Sequence, residues 1–163
     1  MEANLVTYRQ PASYDLILCV DVMEHIAEDT DVFENFCASL HDGGMLVIST
    51  PSDKGGSDAD NNDGESFIGE HVREGYSIQD ITAKLTASGF SSTEASYTYG
   101  KPGSMAWRLT MKYPVMMLSF SRLMFLLLPF YYLIVMPFSL FLNYLDLTIK
   151  HKQGTGLMVI ARK

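Results

Sequence analysis

Three side chains capable of acid–base or metal chemistry lie close together in the sequence: Asp21, Glu24 and His25. They directly follow residues 16–20 (Leu-Ile-Leu-Cys-Val), a continuous apolar run that is typical of a strand buried on both faces. Open α/β sheets bind their ligands at the carboxyl ends of the strands. We therefore expect these three residues to line a ligand site.

The chemistry of this cluster has two interpretations. Two carboxylates suit Mg²⁺, and a histidine, whose ordinary pKa lies near neutrality, suits a general base. Alternatively, Asp21 and Glu24 satisfy backbone donors in the turn after the strand, and His25 packs against the next helix. The residue types alone leave both interpretations open.

The elements that position the cluster form a βαβ unit. Residues 30–41 predict an amphipathic helix, capped by Asp29 or Thr30, and residues 45–50 predict a second buried strand that ends at Pro51. A capping pattern at 77–80 begins a further helix that runs to about Ser88. Further strands are expected at residues 4–8, 92–99 and 157–161.

A second group of candidate residues lies in a loop: His71, Arg73 and Tyr76. They either face a substrate or anchor the loop through hydrogen bonds. The polar, glycine- and acid-rich residues 52–66 precede them, and this composition fits a mobile surface loop or a lid over a site.

Composition narrows the class of protein. The 163 residues carry a net charge of −7, but residues 1–101 carry 5 basic and 18 acidic side chains, whereas residues 102–163 carry 7 basic and 1 acidic. The basic part is also apolar, which suits an anionic membrane surface better than nucleic acid. Cys19 and Cys37 indicate buried thiols in a reducing compartment, so we expect a cytoplasmic protein. The apolar, basic part of the chain adds the expectation that this protein associates with a membrane.

Five segments together resemble the second half of a class I S-adenosylmethionine-dependent methyltransferase, in the branch of the ubiquinone-pathway O-methyltransferases. Each segment alone is weakly specific, but they occur in the family's order with similar gaps. The segments are residues 14–20, 21–26, 40–51 (Leu-His-Asp-Gly-Gly-Met-Leu-Val-Ile-Ser-Thr-Pro), 70–77 (Glu-His-Val-Arg-Glu-Gly-Tyr-Ser) and 154–163.

This resemblance implies a fold class: a partial Rossmann-like sheet containing the family's fourth, fifth, seventh and sixth strands in that spatial order. The last two strands would form an antiparallel pair at the sheet edge. The whole chain, residues 1–163, would be one truncated methyltransferase domain, with an apolar helical insert at 102–150 before the last strand.

The resemblance also implies roles for the candidate residues. Asp21 and Val22 would contact the cofactor, S-adenosyl-L-methionine. Asp21, Glu24 and His25 would be catalytic and could hold Mg²⁺, which would lower the pKa of a phenolic acceptor. His71, Arg73 and Tyr76 would bind a hydrophobic small-molecule acceptor for O-methyl transfer.

One feature of the family is missing. Its first strand ends in a glycine-rich turn that approaches the cofactor, and no Gly-x-Gly-x-Gly occurs in this sequence. We therefore expect the chain as it stands to bind the cofactor weakly or not at all. A missing N-terminal half or a second copy of the chain is the expected partner.

The insert contains 23 uncharged residues, 123–145, interrupted by Pro129 and Pro137. This length fits a transmembrane helix, but both flanking strands belong to one sheet, and two crossings need roughly 40 apolar residues. The remaining interpretations are a helical pair in the membrane interface, a cover over the substrate crevice, or a dimer surface.

Two functions follow from these observations. The first is a methyltransferase acting on a lipophilic acceptor. The alternative is a non-catalytic, methyltransferase-like module that binds a membrane or a partner through residues 105–147. A calorimetric test of cofactor binding separates them.

Overall fold

The computed structural model describes residues 3–54, 72, 73 and 75–163, so His71 and most of the loop at 52–66 lie outside the described residues. The chain divides into two compact units. Unit 1 comprises Met1–Tyr97 and Thr155–Lys163, and unit 2 comprises Thr98–Gly154. The predicted insert at 102–150 falls within unit 2.

A four-stranded sheet forms the centre of unit 1. Its strands are β1 (Tyr14–Val20), β2 (Leu40–Pro51), β3 (Ser92–Thr98) and β4 (Gly156–Arg162), in the spatial order β1-β2-β4-β3. β1 pairs with β2 in parallel, and β2 pairs with β4 in antiparallel orientation. This confirms the predicted mixed α/β class and the predicted strand order.

Two helices cover one face of this sheet. Helix α1 (Asp29–Ser39) buries Val32, Phe33 and Phe36, and helix α2 (Ile78–Ala87) buries Ile81 and Leu85. Both sets have the spacing of one helix face. They enclose the core together with side chains from alternate strand positions: Cys19, Leu46, Ile48, Leu157, Val159 and Ala161.

The observed N-terminal caps of these helices agree only in part with the predicted ones. Ser77 caps α2 as predicted, since its hydroxyl accepts the Asp80 N–H at 3.0 Å. Neither predicted cap of α1 forms: the N-cap is Glu28, which makes no side-chain capping bond. Asp29 does not cap α1 because cations and a phenol from other segments occupy its carboxylate.

Two strand predictions need correction. Residues 4–8 form a turn, in which the Asn4 carbonyl accepts the N–H groups of Thr7 and Tyr8, and not an edge strand. Strand β1 is not buried on both faces, because Leu16, Leu18 and Val20 are 47%, 65% and 57% exposed. These three side chains lie on the sheet face opposite α1, which no helix of unit 1 covers among the described residues.

Unit 2 is helical. Helix α3 (Lys101–Trp107), a π-helical turn (Arg108–Lys112) and helix α4 (Tyr113–Phe120) form one continuous run. After Ser121, a 3-10 turn (Arg122–Leu126) leads into helix α5 (Leu128–Thr148), which contains Pro137 in its interior.

Candidate active site at the carboxyl ends of β1 and β2

The turn after β1 places the predicted cluster at the carboxyl end of the parallel pair. Val20 lies beside Ser49 in the register, and the Asp21 N–H extends this pairing by donating to the Ser49 carbonyl at 2.8 Å. Asp21 then takes a left-handed backbone conformation, with φ of +50°, which aspartate tolerates better than most residues. The chain thereby turns into a 3-10 segment at Met23–His25.

The three polar residues of the turn have different environments. Asp21 and His25 are exposed, whereas Glu24 is only 2% exposed. The Glu24 Oε2 atom accepts a 3.1 Å hydrogen bond from the hydroxyl of buried Thr50 on β2. Asp21 and His25 can therefore meet a ligand directly, whereas Glu24 ties the turn to the end of β2.

A metal ion finds no support in this arrangement. Among residues 3–54, 72, 73 and 75–163, no group of three or more His, Cys, Asp or Glu side chains is placed to hold one. Asp21, Glu24 and His25 do not converge, because the Glu24 carboxylate points to Thr50 and is enclosed. The predicted Mg²⁺ site therefore does not fit the residues present.

Cys19 lies one residue before the end of β1, but it is not a nucleophile at neutral pH. Burial raises the pKa of its thiol to about 11, and the negative charges of Glu24 and Asp21 add to this effect. The side chain is 3% exposed. The expectation that both cysteines are free and buried is confirmed.

A second polar cluster lies beside this turn and is centred on Asp29. Its Oδ2 atom accepts hydrogen bonds from the Tyr76 hydroxyl at 2.7 Å, from Lys84 Nζ at 2.8 Å and from Arg73 Nη1. Arg73 also donates to the carbonyl of Ile26 at 2.7 Å. Its guanidinium lies 4.8 Å from the centre of the Tyr76 ring, a distance typical of a cation–π contact.

The Asp29 cluster shifts the pKa values of its members in opposite directions. Burial opposes ionisation of Asp29, but the hydrogen bonds from Lys84 and Tyr76 and the nearby positive charges outweigh it, so the pKa of this carboxyl is lowered. Burial raises the pKa of Tyr76 far above its ordinary value, and its hydrogen bond to Asp29 adds to the rise. At neutral pH an ionised Asp29 therefore faces a neutral phenol and two cations.

The cluster fixes the segment that carries the predicted substrate-binding residues. The Val72 N–H donates to the Glu24 carbonyl at 3.0 Å, and the Tyr76 N–H donates to the Pro51 carbonyl at 3.1 Å. Tyr76 is 1% exposed, so its side chain has no open surface for an acceptor in this conformation. Arg73 and Tyr76 thus have the geometry of loop anchors beside the turn, and His71 lies outside the described residues.

Three residues of this region escaped the sequence analysis as site residues: Asp29, Thr50 and Lys84. Asp29 was interpreted as a cap, and its partners Arg73 and Lys84 are 44 and 55 positions away in the sequence. Spacing along one sequence carries no signal for such pairs. The only available clue was that Arg73 and Lys84 each needed an acidic partner.

Together, these features define an α/β protein with a parallel strand pair whose carboxyl ends present an exposed acid and an imidazole. The sequence of residues 4–95 matches the profile of a family described as Methyltransferase domain. Because this match spans more than half of the chain, the protein belongs to the Methyltransferase domain family. No curated protein matches the sequence.

Solved structures share the fold at low identity. A SAM-dependent methyltransferase of Thermotoga maritima, a possible histamine N-methyltransferase, is 10% identical with a TM-score of 0.60, and the alignment covers 100% of this chain and 63% of that chain. Phosphoethanolamine N-methyltransferase 2 of Haemonchus contortus, in complex with S-adenosyl-L-methionine, is 16% identical with a TM-score of 0.59; coverage is 98% and 36%.

A third structure, a SAM-dependent methyltransferase of Mesorhizobium loti, is 16% identical with a TM-score of 0.54, and coverage is 99% and 68%. The chain therefore spans about one third to two thirds of the length of these structures. The likeness establishes the methyltransferase fold, and the ubiquinone-pathway branch stays a prediction.

Proposed function

We propose that this protein contributes one wall of a site for S-adenosyl-L-methionine-dependent methyl transfer, with O-methylation of a lipophilic small molecule as the reaction. The observation that carries the proposal is the coincidence of the family match over residues 4–95 with the exposed Asp21 and His25 at the carboxyl ends of β1 and β2. The ubiquinone-pathway resemblance supports the oxygen acceptor.

Each residue of the turn has a separate role in this proposal. Asp21 and Val22 lie against the cofactor, whose sulfonium supplies an electrophilic methyl group when bound. His25, which is exposed after the end of β1, accepts the proton of the acceptor hydroxyl, since histidine is the side chain that most often acts as a general base. Glu24, held by Thr50, and the cluster of Asp29, Arg73 and Tyr76 are positioning groups that fix the turn.

The second wall of the cofactor site comes from a segment that packs on β1. Leu18, Val47 and Ile160 form an apolar row across the face of the sheet opposite α1, and Leu18 is 65% exposed. A groove of about 310 Å³ runs along the outer edge of β1 and is lined by residues from both faces of this strand and by α1. Its lining is mainly apolar and includes Leu5, Leu16, Ile17, Leu18, Val22 and Phe36.

Such a surface suits a covering layer of apolar side chains, because strands that are apolar on both faces occur in sheets covered on both faces. It does not suit the charged amino-acid group of the cofactor, because the described residues that line the groove include no cation and no carboxylate. The solved relatives extend well beyond the part that this chain matches, which supports a cofactor-binding half supplied by further polypeptide or by a second subunit. The free thiols Cys19 and Cys37 support a cytoplasmic location.

The test compares two preparations: this chain alone, and this chain joined to whatever the reading frame encodes immediately upstream. Calorimetry with S-adenosylhomocysteine should detect binding only in the joined protein. Tritium from methyl-labelled S-adenosylmethionine should then reach organic-extractable products in a panel of prenylated phenols. Absence of binding in both preparations would reject the enzyme, and transfer only to water-soluble amines would reject the oxygen acceptor.

Variants of the joined protein test the site itself. His25→Gln should lower the rate of transfer by about 10²-fold or more, the usual scale for a lost general base. Asp21→Asn should also lower the rate, because in this proposal its carboxylate contacts the cofactor. Asp31→Asn provides the matched control, because Asp31 is an exposed acid on α1 away from the turn. Equal rates in all three variants would remove Asp21 and His25 from the catalytic site.

A further inference from the structure

The helices of unit 2 form an antiparallel hairpin. The Gly103 N–H donates to Asp146 Oδ1 at 2.9 Å, and further along the first run the carbonyls of Leu109 and Thr110 accept hydrogen bonds from the hydroxyls of Tyr131 and Tyr132. Early residues of the first run thus contact the end of α5, and later residues of the first run contact the beginning of α5, so the two runs are antiparallel. Each run of about 20 residues is about 30 Å long at 1.5 Å per residue.

The two ends of the hairpin meet at its base. Gly154 lies against the backbone carbonyl of Thr98, and Gly100 packs against the ring of His151. His151 in turn contacts Asp146 Oδ1 at 2.9 Å. The only acid of unit 2, Asp146, is thereby paired within the hairpin.

The surface of this hairpin is apolar and exposed. Helix α5 has the length and composition to cross a membrane, with a mean hydropathy of 1.5 over 18 residues, of which 11% are buried. The core helix of a water-soluble protein would be mostly buried. The exposed fractions reach 85% for Phe120, 73% for Leu123, 75% for Leu133 and 76% for Ile134. Contiguous apolar surface on this scale marks an interaction site.

Two carbonyls of the first run that Pro114 leaves without a helical N–H are hydrogen-bonded within the hairpin. Pro114 has no N–H, so it cannot serve the Thr110 carbonyl four residues earlier or the Leu109 carbonyl five residues earlier, its partner in a π-helical turn. The hydroxyls of Tyr132 and Tyr131 fill these two places at 2.8 and 2.7 Å. Backbone carbonyls in a lipid environment need hydrogen-bond donors from the protein itself, because no water is present there to donate to them.

The charges of unit 2 indicate which kind of partner surface its hairpin would bind. Unit 2 contains one acidic residue, which is paired, and six basic residues: Lys101, Arg108, Lys112, Arg122, Lys150 and Lys152. They lie along the first run, at the tip and just after α5, whereas α5 itself is uncharged from Leu128 to Leu145. A second copy of the same basic hairpin would bring like charges together, but an anionic bilayer surface would complement them.

We infer that unit 2 is a monotopic membrane anchor, which lays the apolar side of α5 into one leaflet of an anionic bilayer and keeps its basic residues at the level of the headgroups. The hairpin does not span the bilayer, because both its ends lie together at the base and basic residues occur along the first run and at the tip. This inference does not depend on methyl transfer.

Vesicle flotation of the full chain tests the anchor. Vesicles of phosphatidylcholine with 30% phosphatidylglycerol should carry the protein to the top of a density gradient, and vesicles of phosphatidylcholine alone should carry much less. Ile134→Glu combined with Phe141→Glu should reduce the bound-to-free ratio at least tenfold, since two apolar side chains lose their burial in lipid. Lys150→Gln with Lys152→Gln should weaken binding to the anionic vesicles only.

The matched control is Leu16→Glu combined with Leu18→Glu, which adds the same two acids at exposed apolar positions of unit 1. It should float like the parent protein, and thermal unfolding followed by circular dichroism should establish that both double variants fold. Unchanged flotation of the Ile134→Glu/Phe141→Glu variant would overturn the inference. So would a dimer in sedimentation experiments without vesicles that dissociates in this variant, because the apolar side would then be a subunit interface.

Discussion

The Tyr76 hydroxyl donates a 2.7 Å hydrogen bond to Oδ2 of Asp29, and this contact joins segments that lie 47 residues apart in the sequence. Both side chains are buried, and Arg73 and Lys84 converge on the same carboxylate oxygen. The segment before α2 is thereby held against the turn after β1. The geometry of the candidate site thus depends on the contacts of Asp29, which lies outside the turn itself.

Loss of this phenol should destabilise the protein. Tyr76→Phe removes one donor from a buried carboxylate while leaving the ring in the core, so the free energy of unfolding should fall by about 1–3 kcal/mol. Urea denaturation followed by circular dichroism measures the change. Tyr144→Phe is the control, because Tyr144 is 65% exposed and should change stability by less than about 0.5 kcal/mol. Equal effects of the two variants would contradict a stabilising role of the Asp29 contact.

The lowered pKa of Asp29 should make stability depend on acid pH. Its folded-state pKa lies below the ordinary value of 3.8, so its contribution is complete above that pH and is lost as the pH falls through the lowered pKa. The parent protein should therefore be more stable than Asp29→Asn at pH 7, and the difference should shrink between pH 4 and pH 2. Urea midpoints at several pH values measure it. A difference that stays constant over this range would contradict the lowered pKa.

Sequence periodicity was sufficient to identify most helices and strands, but not to order the strands or to predict the interactions of the site. The apolar runs of β1 and β2 and the single-sided helices α1 and α2 were identifiable, because burial imposes local periods on a sequence. The strand order required the family resemblance. The Asp29 cluster required the fold itself, because contacts across 44 to 55 positions have no local pattern. The family resemblance also implied a metal site at Asp21, Glu24 and His25, but the Glu24 carboxylate accepts a hydrogen bond from Thr50 on β2 and is thereby turned inward.

The side chains of Thr50 and Glu24 should make strongly coupled contributions to stability. Thr50→Val keeps the shape of the side chain but leaves the buried Glu24 carboxylate without its hydroxyl donor, and it should cost about 1–3 kcal/mol of stability. In the background of Glu24→Gln, which removes the negative charge, the same change should cost less. A double-mutant cycle from urea denaturation measures the coupling energy. A coupling energy near zero would indicate that the 3.1 Å contact does not hold the turn.

The thiols of the native protein should be inert. With a pKa of about 11, only about one Cys19 side chain in a thousand is a thiolate at pH 8, and burial shields it further. Burial raises the pKa of Cys37 as well. Ellman's reagent at pH 8 should therefore react slowly with the folded protein and rapidly with both thiols in guanidinium chloride. Rapid reaction of the folded Cys37→Ser variant would contradict the burial of Cys19.

Substitutions on the two faces of the sheet should have different effects on the stability of the protein. Ile48 is fully buried beneath the helices of unit 1, so Ile48→Ala should cost about 2–5 kcal/mol. Leu18 on the opposite face is 65% exposed, so Leu18→Asn should change the stability of the chain by less than about 0.5 kcal/mol. If the proposed second wall of the cofactor site is encoded upstream, the same Leu18 variant should weaken its binding, measured by calorimetry with that polypeptide expressed separately. If Leu18→Asn destabilised the chain alone as much as Ile48→Ala does, the face would already be covered within this chain, and the second wall of the cofactor site would have to pack elsewhere.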